Sequence, residues 1–492
     1  MIAIERGLKK RARSVRIGAP IRLGVPQQEV RRKKERYVTG KPSSRNSARK
    51  RRTRCDVIIQ PPMSTITATA GALPKSFKDV WLISAGHGLT HWYTATFYLL
   101  LPLIGNELGL SYTEIGLIMT IQHLAGALSN LPGGFVVDIV GKKGYLMAAS
   151  LFWVGFPYAL MSLTHDFWML LVCVTIVGIG NNIWHPAAIP TLAYRYPERK
   201  GLVLSFHGMG GNLGEAIAPF VIGALLTWLS WRVVVVINVI PGLVMSALIL
   251  VLLGAFSMTK SKDGSAINDD GETRGLMEYM RSVGGLLKNK TLMLVSCSSG
   301  LRTVTQAGLL TFLPVFLLNE LHYSNFATGL CVGTLSIAGF IAAPIGGHLS
   351  DKMGRKQVIM SSMLLTGVMI IGMVLSGKTA LFVVFIALVG FFLYAMRSVL
   401  QAWAVESVPK NMAGAGVGLQ FGCSAIGSAI SPSICGMLAD RYDIYTAFYF
   451  LAGTIVFANL LVFFLPKTGM LLHAIDDIRL FWQNDLRFLN QF

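Results

Sequence analysis

The stretch GFVVDIVGKK at residues 134–143 has a counterpart, GHLSDKMGRK, at residues 347–356, with its glycines, acid and basic pair at the same spacing. The two copies are 213 residues apart, and the same offset relates five further pairs of residues. These pairs are Gly116 and Gly329, Gly133 and Gly346, Gly214 and Gly427, Pro219 and Pro432, and Gly223 and Gly436. One offset shared by separate segments is hard to obtain by chance. It predicts a duplicated unit whose two copies meet at a central interface.

Long apolar segments surround both motifs. The composition is 53% hydrophobic and only 14% charged, with a mean hydropathy of +0.56. A helix needs about 20 mainly apolar residues to cross a bilayer. Twelve segments meet that length: 80–104, 113–137, 144–164, 167–192, 202–228, 231–256, 291–318, 325–350, 357–376, 379–404, 412–437 and 444–465. They lack the period of two that barrel strands require. The sequence therefore predicts an all-α integral membrane protein with twelve transmembrane helices in two six-helix bundles, 80–256 and 291–466, joined by a connector at 257–290.

Positive charge is concentrated at one end of the chain. There are 44 Lys and Arg against 24 acids, a net charge of +20, and 19 of the basic residues lie within residues 1–60. We predict a basic, disordered tail at 1–62 and a lead-in at 63–79; alternatively, translation begins at Met63. Such a tail can bind anionic lipid or nucleic acid. With no aromatic residue beyond Tyr37 to stack on bases, no nucleic-acid partner is expected. Residues 467–492 predict an amphipathic helix on the membrane surface.

The short loops indicate the orientation in the membrane. Nine Lys or Arg lie in the loops on one side and three in the loops on the other. Because the richer side is normally cytoplasmic, we expect a protein of the cytoplasmic (bacterial inner) membrane with both termini in the cytoplasm. Five cysteines lie singly in apolar stretches without a CxxC pair, which disfavours a disulfide framework or a zinc site. No nucleotide-binding or hydrolase motif is present, so we expect no enzyme and no cofactor.

The duplicated Gly-x3-Asp-x2-Gly-[Lys/Arg]-[Lys/Arg] element resembles the signature loop of the major facilitator superfamily. The resemblance implies two bundles around a central cavity, which rock between inward-open and outward-open states. The first glycine is expected to let a helix approach, the aspartate to cap a helix or pair with a cation, and the basic pair to anchor the loop at the headgroups. The residues with this expected gating role are Gly134, Asp138, Gly141, Lys142, Lys143, Gly347, Asp351, Gly354, Arg355 and Lys356.

A closer resemblance covers residues of about 80–230. The run GNNIWHPAA at 180–188, GGNLG at 210–214 and the helix-one sequence His87-Gly-Leu-Thr are similar to the fosmidomycin-resistance branch of that superfamily. Its members typically export drugs or small organic anions in exchange for protons. Gly214-x3-Ala218-Pro219 also resembles the antiporter signature, with Ala replacing the second Gly. The chain departs from the branch at Ala187, where a glutamate is common.

Two arginines are expected at membrane depth, where a charged side chain is costly and points to function. Arg302 and Arg397 fall in the seventh and tenth predicted helices, which commonly line the cavity of this fold. Two guanidinium groups facing a cavity would bind a carboxylate or phosphonate; the alternatives are internal ion pairs or side chains that reach the membrane surface. Residues predicted to assist as neutral substrate contacts are Gln306, Gln401, Asn181 and Trp184.

Glu215 is the deepest carboxylate of the first half, and burial of its charge suits proton exchange. Histidines His87 and His91 share one helix face, and His123 is expected at a similar depth. Because histidine titrates near neutral pH, these residues are predicted to carry protons. Each alternatively has a structural, hydrogen-bonded role. A metal is disfavoured because no carboxylate or cysteine joins the histidines at ligand spacing. His185, before Pro186, is expected to shape its helix.

The favoured function is a proton-coupled antiporter that exports a small anionic or amphiphilic compound, as in drug efflux. An uptake symporter for an organic anion is the first alternative, and a non-transporting membrane scaffold or sensor is the second. The expected partners are a small-molecule substrate, protons and membrane lipid, and the expected state is a monomer.

Overall fold

The computed structural model describes residues 77–140, 142–253, 284–409 and 412–465; the side chains of residues 130–135 and 137–139 lie outside that description. The described residues all belong to one compact unit, Pro74–Phe492. The predicted basic tail with Met63, most of the lead-in and connector, and the predicted amphipathic tail lie outside the described residues.

The first half of the chain forms six long helices. They are α1 (Lys78–Leu108), α2 (Tyr112–Val140), α3 (Lys143–Met161), α4 (Phe167–Arg195), α5 (Lys200–Leu225) and α6 (Trp231–Leu253). Local chemistry sets several of their ends. Gly109 ends α1 with φ of 65°, a left-handed conformation that glycine adopts without strain. Asp166 begins α4 by accepting a hydrogen bond from the backbone N–H of Met169.

The second half repeats this arrangement. Its helices are α7 (Lys290–Val315), α8 (Asn325–Met353), α9 (Arg355–Ser376), α10 (Ala380–Glu406), α11 (Ala413–Arg441) and α12 (Ile444–Phe463). Side chains of Asn289, Ser324 and Asp443 cap the N-termini of α7, α8 and α12. The hydroxyl and backbone N–H of Thr446 donate to the Asp443 carboxylate, and these hydrogen bonds lower the pKa of Asp443 from its ordinary value.

These helices confirm the predicted fold of twelve transmembrane helices. Within the described ranges, nine helices are both long enough and apolar enough to cross a membrane. Helices α1, α2 and α5 are not among the nine, and polar residues explain this for α1 and α5. Those two helices carry three of the histidines and the one glutamate that the first half places at membrane depth, namely His87, His91, His207 and Glu215.

The two halves interlock through the repeated glycines and prolines. A Cβ atom added to Gly116 would overlap the carbonyl oxygen of Pro432, and one added to Gly329 would overlap the carbonyl oxygen of Pro219. The two contacts are equivalent, since each residue lies 213 positions from its counterpart. Helix α2 therefore packs along α11, and α5 along α8, with backbones too close to admit a side chain.

Hydrogen bonds join the halves at one end of the molecule. The side-chain amides of Asn106 and Asn319, another pair 213 residues apart, donate to each other's oxygen atoms at 2.9 and 3.2 Å. The Asp440 carboxylate accepts the backbone N–H groups of Tyr112 (3.0 Å) and Thr113 (2.7 Å). Because Tyr112 begins α2 and the first motif ends it, these contacts close the side of the protein away from the motif loops.

The second motif braces three helices. Gly354 has φ of 92° and turns the chain from α8 into α9. The Nη1 atom of Arg355 lies 2.6 Å from Oδ1 of Asp351, and its Nη2 atom lies 2.9 Å from Oε1 of Glu406 on α10. Arg355 thus holds α8, α9 and α10 together, whereas the sequence predicted that it reaches lipid headgroups.

Two other motif expectations change in the same region. The Nζ atom of Lys356 donates to the carbonyl oxygen of Phe463 at 2.7 Å, so this lysine ties α9 to the end of α12. A Cβ atom on Gly347 would meet nothing nearer than 4.0 Å. The close helix approach predicted at Gly347 is made instead by Gly346, where a Cβ atom would lie 2.5 Å from the carbonyl oxygen of Ala395.

Less of the first motif can be described. Gly141 and the side chains of Gly134 and Asp138 lie outside the described residues. Lys142 places its Nζ atom 5.5 Å from the centre of the Tyr145 ring, a cation–π contact. Lys143 is buried at the start of α3 rather than displayed to headgroups.

Replacing Gly116 by alanine is expected to lower stability by roughly 1–3 kcal/mol, because the new methyl group would overlap the Pro432 carbonyl. Thermal unfolding of the purified protein in detergent measures this effect. The matched control is Gly453→Ala on α12, where a Cβ atom meets open space. That control should be neutral or slightly stabilising, since alanine favours helix over glycine by about 1 kcal/mol. Equal destabilisation by both changes would contradict the interlocking contact.

Candidate functional site

A cavity of about 260 Å³ lies between the two halves of the protein. Five of the six residues predicted to contact substrate line it: Asn181 from α4, Arg302 and Gln306 from α7, and Arg397 and Gln401 from α10. Three of the four residues predicted to carry protons also line it: His91 from α1, His123 from α2 and Glu215 from α5. Helix packing thus collects residues from six helices, most of them far apart in sequence, at one place.

Trp184 does not reach this cavity. Its side chain is fully buried, and its Nε1 atom donates to Nε2 of His207 at 3.2 Å. The indole fills the space that Gly86 leaves on α1, because a Cβ atom on that glycine would overlap the ring. Trp184 therefore packs α4 against α1 and α5, and this placement argues against the predicted substrate contact.

The two arginines place two positive charges at the cavity. Glu215, the one carboxylate among its described lining residues, interacts electrostatically with both but forms a salt bridge with neither. Arg302 is only 5% exposed; its Nη1 atom donates to the Leu393 carbonyl and its Nη2 atom to the Thr303 hydroxyl, both at 3.3 Å. Neither contact neutralises the charge. No hydrogen bond or ion pair joins Arg397 to another of the described residues. Two guanidinium groups facing one cavity in a low-dielectric setting favour an anion there.

Glu215 is held between the two halves of the protein. Its Oε1 atom accepts a hydrogen bond from the hydroxyl of Tyr394 on α10 at 2.7 Å, and its Oε2 atom lies 3.3 Å from Nδ1 of His91 on α1. Tyr394 was not singled out in the sequence. Its position one turn before Arg397, on the same face of α10, is the signal that could have found it.

Four histidines form a cluster beside Glu215. The ring nitrogen Nδ1 of His87 lies 2.6 Å from the backbone carbonyl oxygen of His207. A carbonyl only accepts, so Nδ1 carries the proton, and Nε2 of a neutral His87 accepts from Nε2 of His185 at 3.1 Å. His87 is thus buried behind the cavity that His91 and His185 line. His185 lines the cavity and forms a hydrogen bond with His87, a larger role than the predicted one of shaping its helix.

The prediction that these histidines bind no metal is also affected. It relied on the lack of a carboxylate near the histidines, yet Glu215 contacts His91. Ligand atoms of His87, His91 and His185 lie within 4.8 Å of one another. The N–H···N hydrogen bond between His87 and His185 accounts for their approach. His123 stands apart from this cluster, with Nε2 3.3 Å from the Tyr98 hydroxyl.

The cavity has two chemically different walls. The first half supplies titratable groups, and the second half supplies the arginines together with hydroxyl and amide groups. Most of these hydroxyl and amide groups were not predicted from the sequence: Ser299, Thr303, Gln420, Ser424 and Ser428. The i, i+4 spacing of the last three within an apolar helix is a signal that could have found them.

A family model described as Major Facilitator Superfamily matches residues 83–324 and 292–474. The chain belongs to the Major Facilitator Superfamily. It is therefore an integral membrane protein and a secondary transporter. Solved structures of the superfamily agree in fold. A bacterial homolog of the human lysosomal transporter Spinster, inward-facing and occupied, matches with a TM-score of 0.68 and 15% identity, over 80% of this chain and 97% of that one. The nucleoside transporter NupG matches with a TM-score of 0.66 and 13% identity, over 78% and 98%.

Superfamily relatives transport varied substrates. The hexuronate transporter of Bacillus subtilis is 27% identical over 73% of this chain and 87% of its own length. The phosphoglycerate transporter protein of Salmonella typhimurium is 25% identical over 80% and 89%. The fosmidomycin resistance protein of Escherichia coli is 24% identical over 85% and 97%, in line with the resemblance found in the sequence.

Proposed function

We propose that this protein is a proton-coupled antiporter that exports a small organic anion by alternating access. It works as a monomer in the cytoplasmic membrane, with both termini in the cytoplasm, and catalyses no chemical reaction. The observation that carries the proposal is the pair of cavity arginines, Arg302 and Arg397, which outnumber Glu215, the one carboxylate among the described residues that line the cavity. Two relatives named for anions, hexuronate and phosphoglycerate, support an anionic substrate.

The anion and Glu215 compete for the same donors. In the described state, the Tyr394 hydroxyl and His91 stabilise the charged carboxylate, since hydrogen bonds to the charged form favour it. Arg397 lies one turn from Tyr394 on the same face of α10 and lines the same cavity. An anion bound to Arg397 and Tyr394 displaces the carboxylate from Tyr394. The displaced Glu215 keeps His91 as its remaining partner and, with its carboxylate less stabilised, takes up a proton more readily.

This competition couples the two halves of the protein. Glu215 belongs to the first half and Tyr394 to the second, so their hydrogen bond links the halves inside the cavity. Loss of that bond removes the link on the side facing the motif loops, while the Asn106–Asn319 pair still closes the other side. Anion binding and protonation of Glu215 therefore favour each other, which is the coupling that an uptake symporter requires.

Export is favoured over uptake by two features of the first half. The Gly214 and Pro219 pattern resembles the antiporter signature, and a Cβ atom on Gly214 would overlap the Gly88 carbonyl of α1. Close contact of α1 with α5 keeps His91 and Glu215 together, which the exchange requires. The fosmidomycin resistance relative supports efflux. An uptake symporter using the same arginines is the second candidate, favoured by the hexuronate relative and by the coupling of anion binding to protonation of Glu215.

The change in pH inside liposomes distinguishes the antiport candidate from the symport candidate. The purified protein is reconstituted in liposomes that contain a pH dye, and gluconate, glycerate or phosphonoacetate is added outside. Antiport moves protons out as the anion enters, so lumenal pH rises; symport would lower it. Protein-free liposomes and the variant Arg302→Ala are the controls. A pH trace identical to both controls for all three anions would contradict anion-coupled transport and leave the scaffold alternative.

A further inference from the structure

The second-half wall of the cavity presents hydroxyl and amide groups beside three apolar side chains, Ala307, Leu310 and Phe421. Ser299 and Thr303 of α7 and Gln420, Ser424 and Ser428 of α11 line it beside Arg302. The Ser299 and Ser424 hydroxyl oxygens lie 3.0 Å apart, and Nε2 of Gln420 donates to Ser299 at 3.2 Å. A simple anion needs only the arginines. This wall therefore has more hydrogen-bonding capacity than a charge alone requires.

Three buried polar atoms at the cavity have no hydrogen-bond partner among the described residues. One is a donor, Nε of Arg302, and two are acceptors, Oε1 of Gln420 and Oδ1 of Asn181. Arg302 and Gln420 are only 5% and 3% exposed. The nitrogen atoms of both amides are already engaged, Gln420 with Ser299 and Asn181 with the Thr94 hydroxyl. Each amide nitrogen has a second N–H, but the oxygen is the atom of each amide with no partner at all, so each amide offers a ligand an unpaired acceptor.

An unpaired buried acceptor carries a desolvation cost that a suitable ligand removes. A carboxylate or phosphonate group is an acceptor and satisfies Arg302, but it gives nothing to the two amide oxygens. An alkyl chain would leave both of them unpaired. Hydroxyl groups on the ligand donate to them, can accept from Ser424, and can donate to Ser428, whose own hydroxyl hydrogen is donated to a backbone carbonyl. The amide oxygens thus favour anions that carry hydrogen-bond donors over anions that carry none.

We propose that the substrate is a hydroxylated organic anion, with its acidic group on Arg302 and Arg397 and its hydroxyl groups on Gln420 and Asn181. The inference rests on the proposed anion transport and names the class of anion, against the amphiphilic compound that the sequence left open. The hydroxyls contact both halves of the protein, because Gln420 belongs to α11 and Asn181 to α4. The same hydrogen bonds therefore contribute to affinity for the substrate and connect the two halves, which move against each other during transport.

Matched pairs of anions test the proposal by differing only in hydroxyl groups. Binding of propionate and glycerate, and of hexanoate and gluconate, is measured calorimetrically with the purified protein in lipid nanodiscs, with sorbitol as the uncharged control. The hydroxylated member of each pair should bind at least about tenfold tighter, because a site built for hydroxyls rejects analogues that lack them. Sorbitol should bind at least about tenfold more weakly than gluconate, since it has no charge for the arginines.

The variant Gln420→Met removes the acceptor at similar volume and should reduce the preference for glycerate over propionate to about threefold or less, with propionate affinity unchanged. If that variant does not fold, Asn181→Leu replaces it with the same expectation. Hexanoate and propionate binding as tightly as their hydroxylated partners would overturn the hydroxyl inference while the anion proposal stands. Wild type that binds none of the four anions better than Arg302→Ala would overturn both.

Discussion

Replacing Arg302 by alanine is expected to lower transport of an anion by about 30-fold to 4,000-fold. The guanidinium is buried and faces the cavity, where Glu215 is the one described carboxylate beside two arginines, so a bound anion supplies the missing counter-charge. Truncation of one member of a buried charge pair typically costs about 2–5 kcal/mol, and each 1.4 kcal/mol is tenfold in affinity. The initial rate of radiolabelled anion uptake into proteoliposomes measures the loss.

Two variants make that result specific. Arg302→Lys keeps the charge but not the planar fork that binds an anion through two nitrogens, so it should restore only part of the rate. Arg441→Ala removes an exposed arginine at the end of α11 and should leave the rate unchanged. Full activity in Arg302→Ala, with normal amounts of protein in the membrane, would show that Arg302 is structural.

Replacing Glu215 by glutamine is expected to abolish proton-driven transport while leaving exchange of anion for anion. Glutamine keeps the shape and can still accept from Tyr394, but it neither takes up nor releases a proton. Anion movement against a proton gradient should fall at least about 100-fold, the effect expected when a single proton-transferring group is removed. Counterflow, which needs only the anion site and the rocking of the bundles, should remain within about threefold of wild type.

Two control variants bracket the Glu215 result. Tyr394→Phe removes only the donor to Oε1, so coupling should weaken by roughly tenfold without being lost. Glu198→Gln changes an exposed carboxylate between α4 and α5 and should have no effect. The groups facing Glu215, namely His91, His185, Tyr394 and Arg397, stay unchanged in both glutamine variants. Loss of counterflow together with proton-driven transport in Glu215→Gln would mean that this glutamate binds the substrate or supports the fold.

The fold was predictable because the bilayer imposes it. Backbone groups in hydrocarbon must be satisfied within the segment, so a run of about 20 apolar residues predicts a helix with little ambiguity. The 213-residue repeat then predicted an interface between two related units, where Gly116 meets Pro432 and Gly329 meets Pro219. The motif was less well predicted in detail, since Gly346 rather than Gly347 makes the close approach, and helix rotation cannot be read from a motif.

The candidate site was predictable only where charge stood out from its surroundings. Arg302, Arg397 and Glu215 are conspicuous in apolar helices, and all three line the cavity. Tyr394, Gln420 and Ser424 were missed because hydroxyl and amide groups are common in transmembrane helices and cost little there. Trp184 was assigned to the substrate because its helix carries Asn181, but the two side chains point to different neighbours.

The sequence by itself determined the family, the twelve helices, the internal repeat and the presence of unusual charges at membrane depth. These features follow from composition and residue spacing, because the lipid bilayer requires each membrane-crossing segment to be apolar and helical on its own. Only the tertiary structure decided which charges have partners. Glu215 is held by Tyr394, 179 residues away, whereas Arg302 forms no salt bridge with a described acid, and amide oxygens of Gln420 and Asn181 are left unpaired. Partnership depends on how two helices are rotated against each other, and that rotation results from the packing of all the helices together.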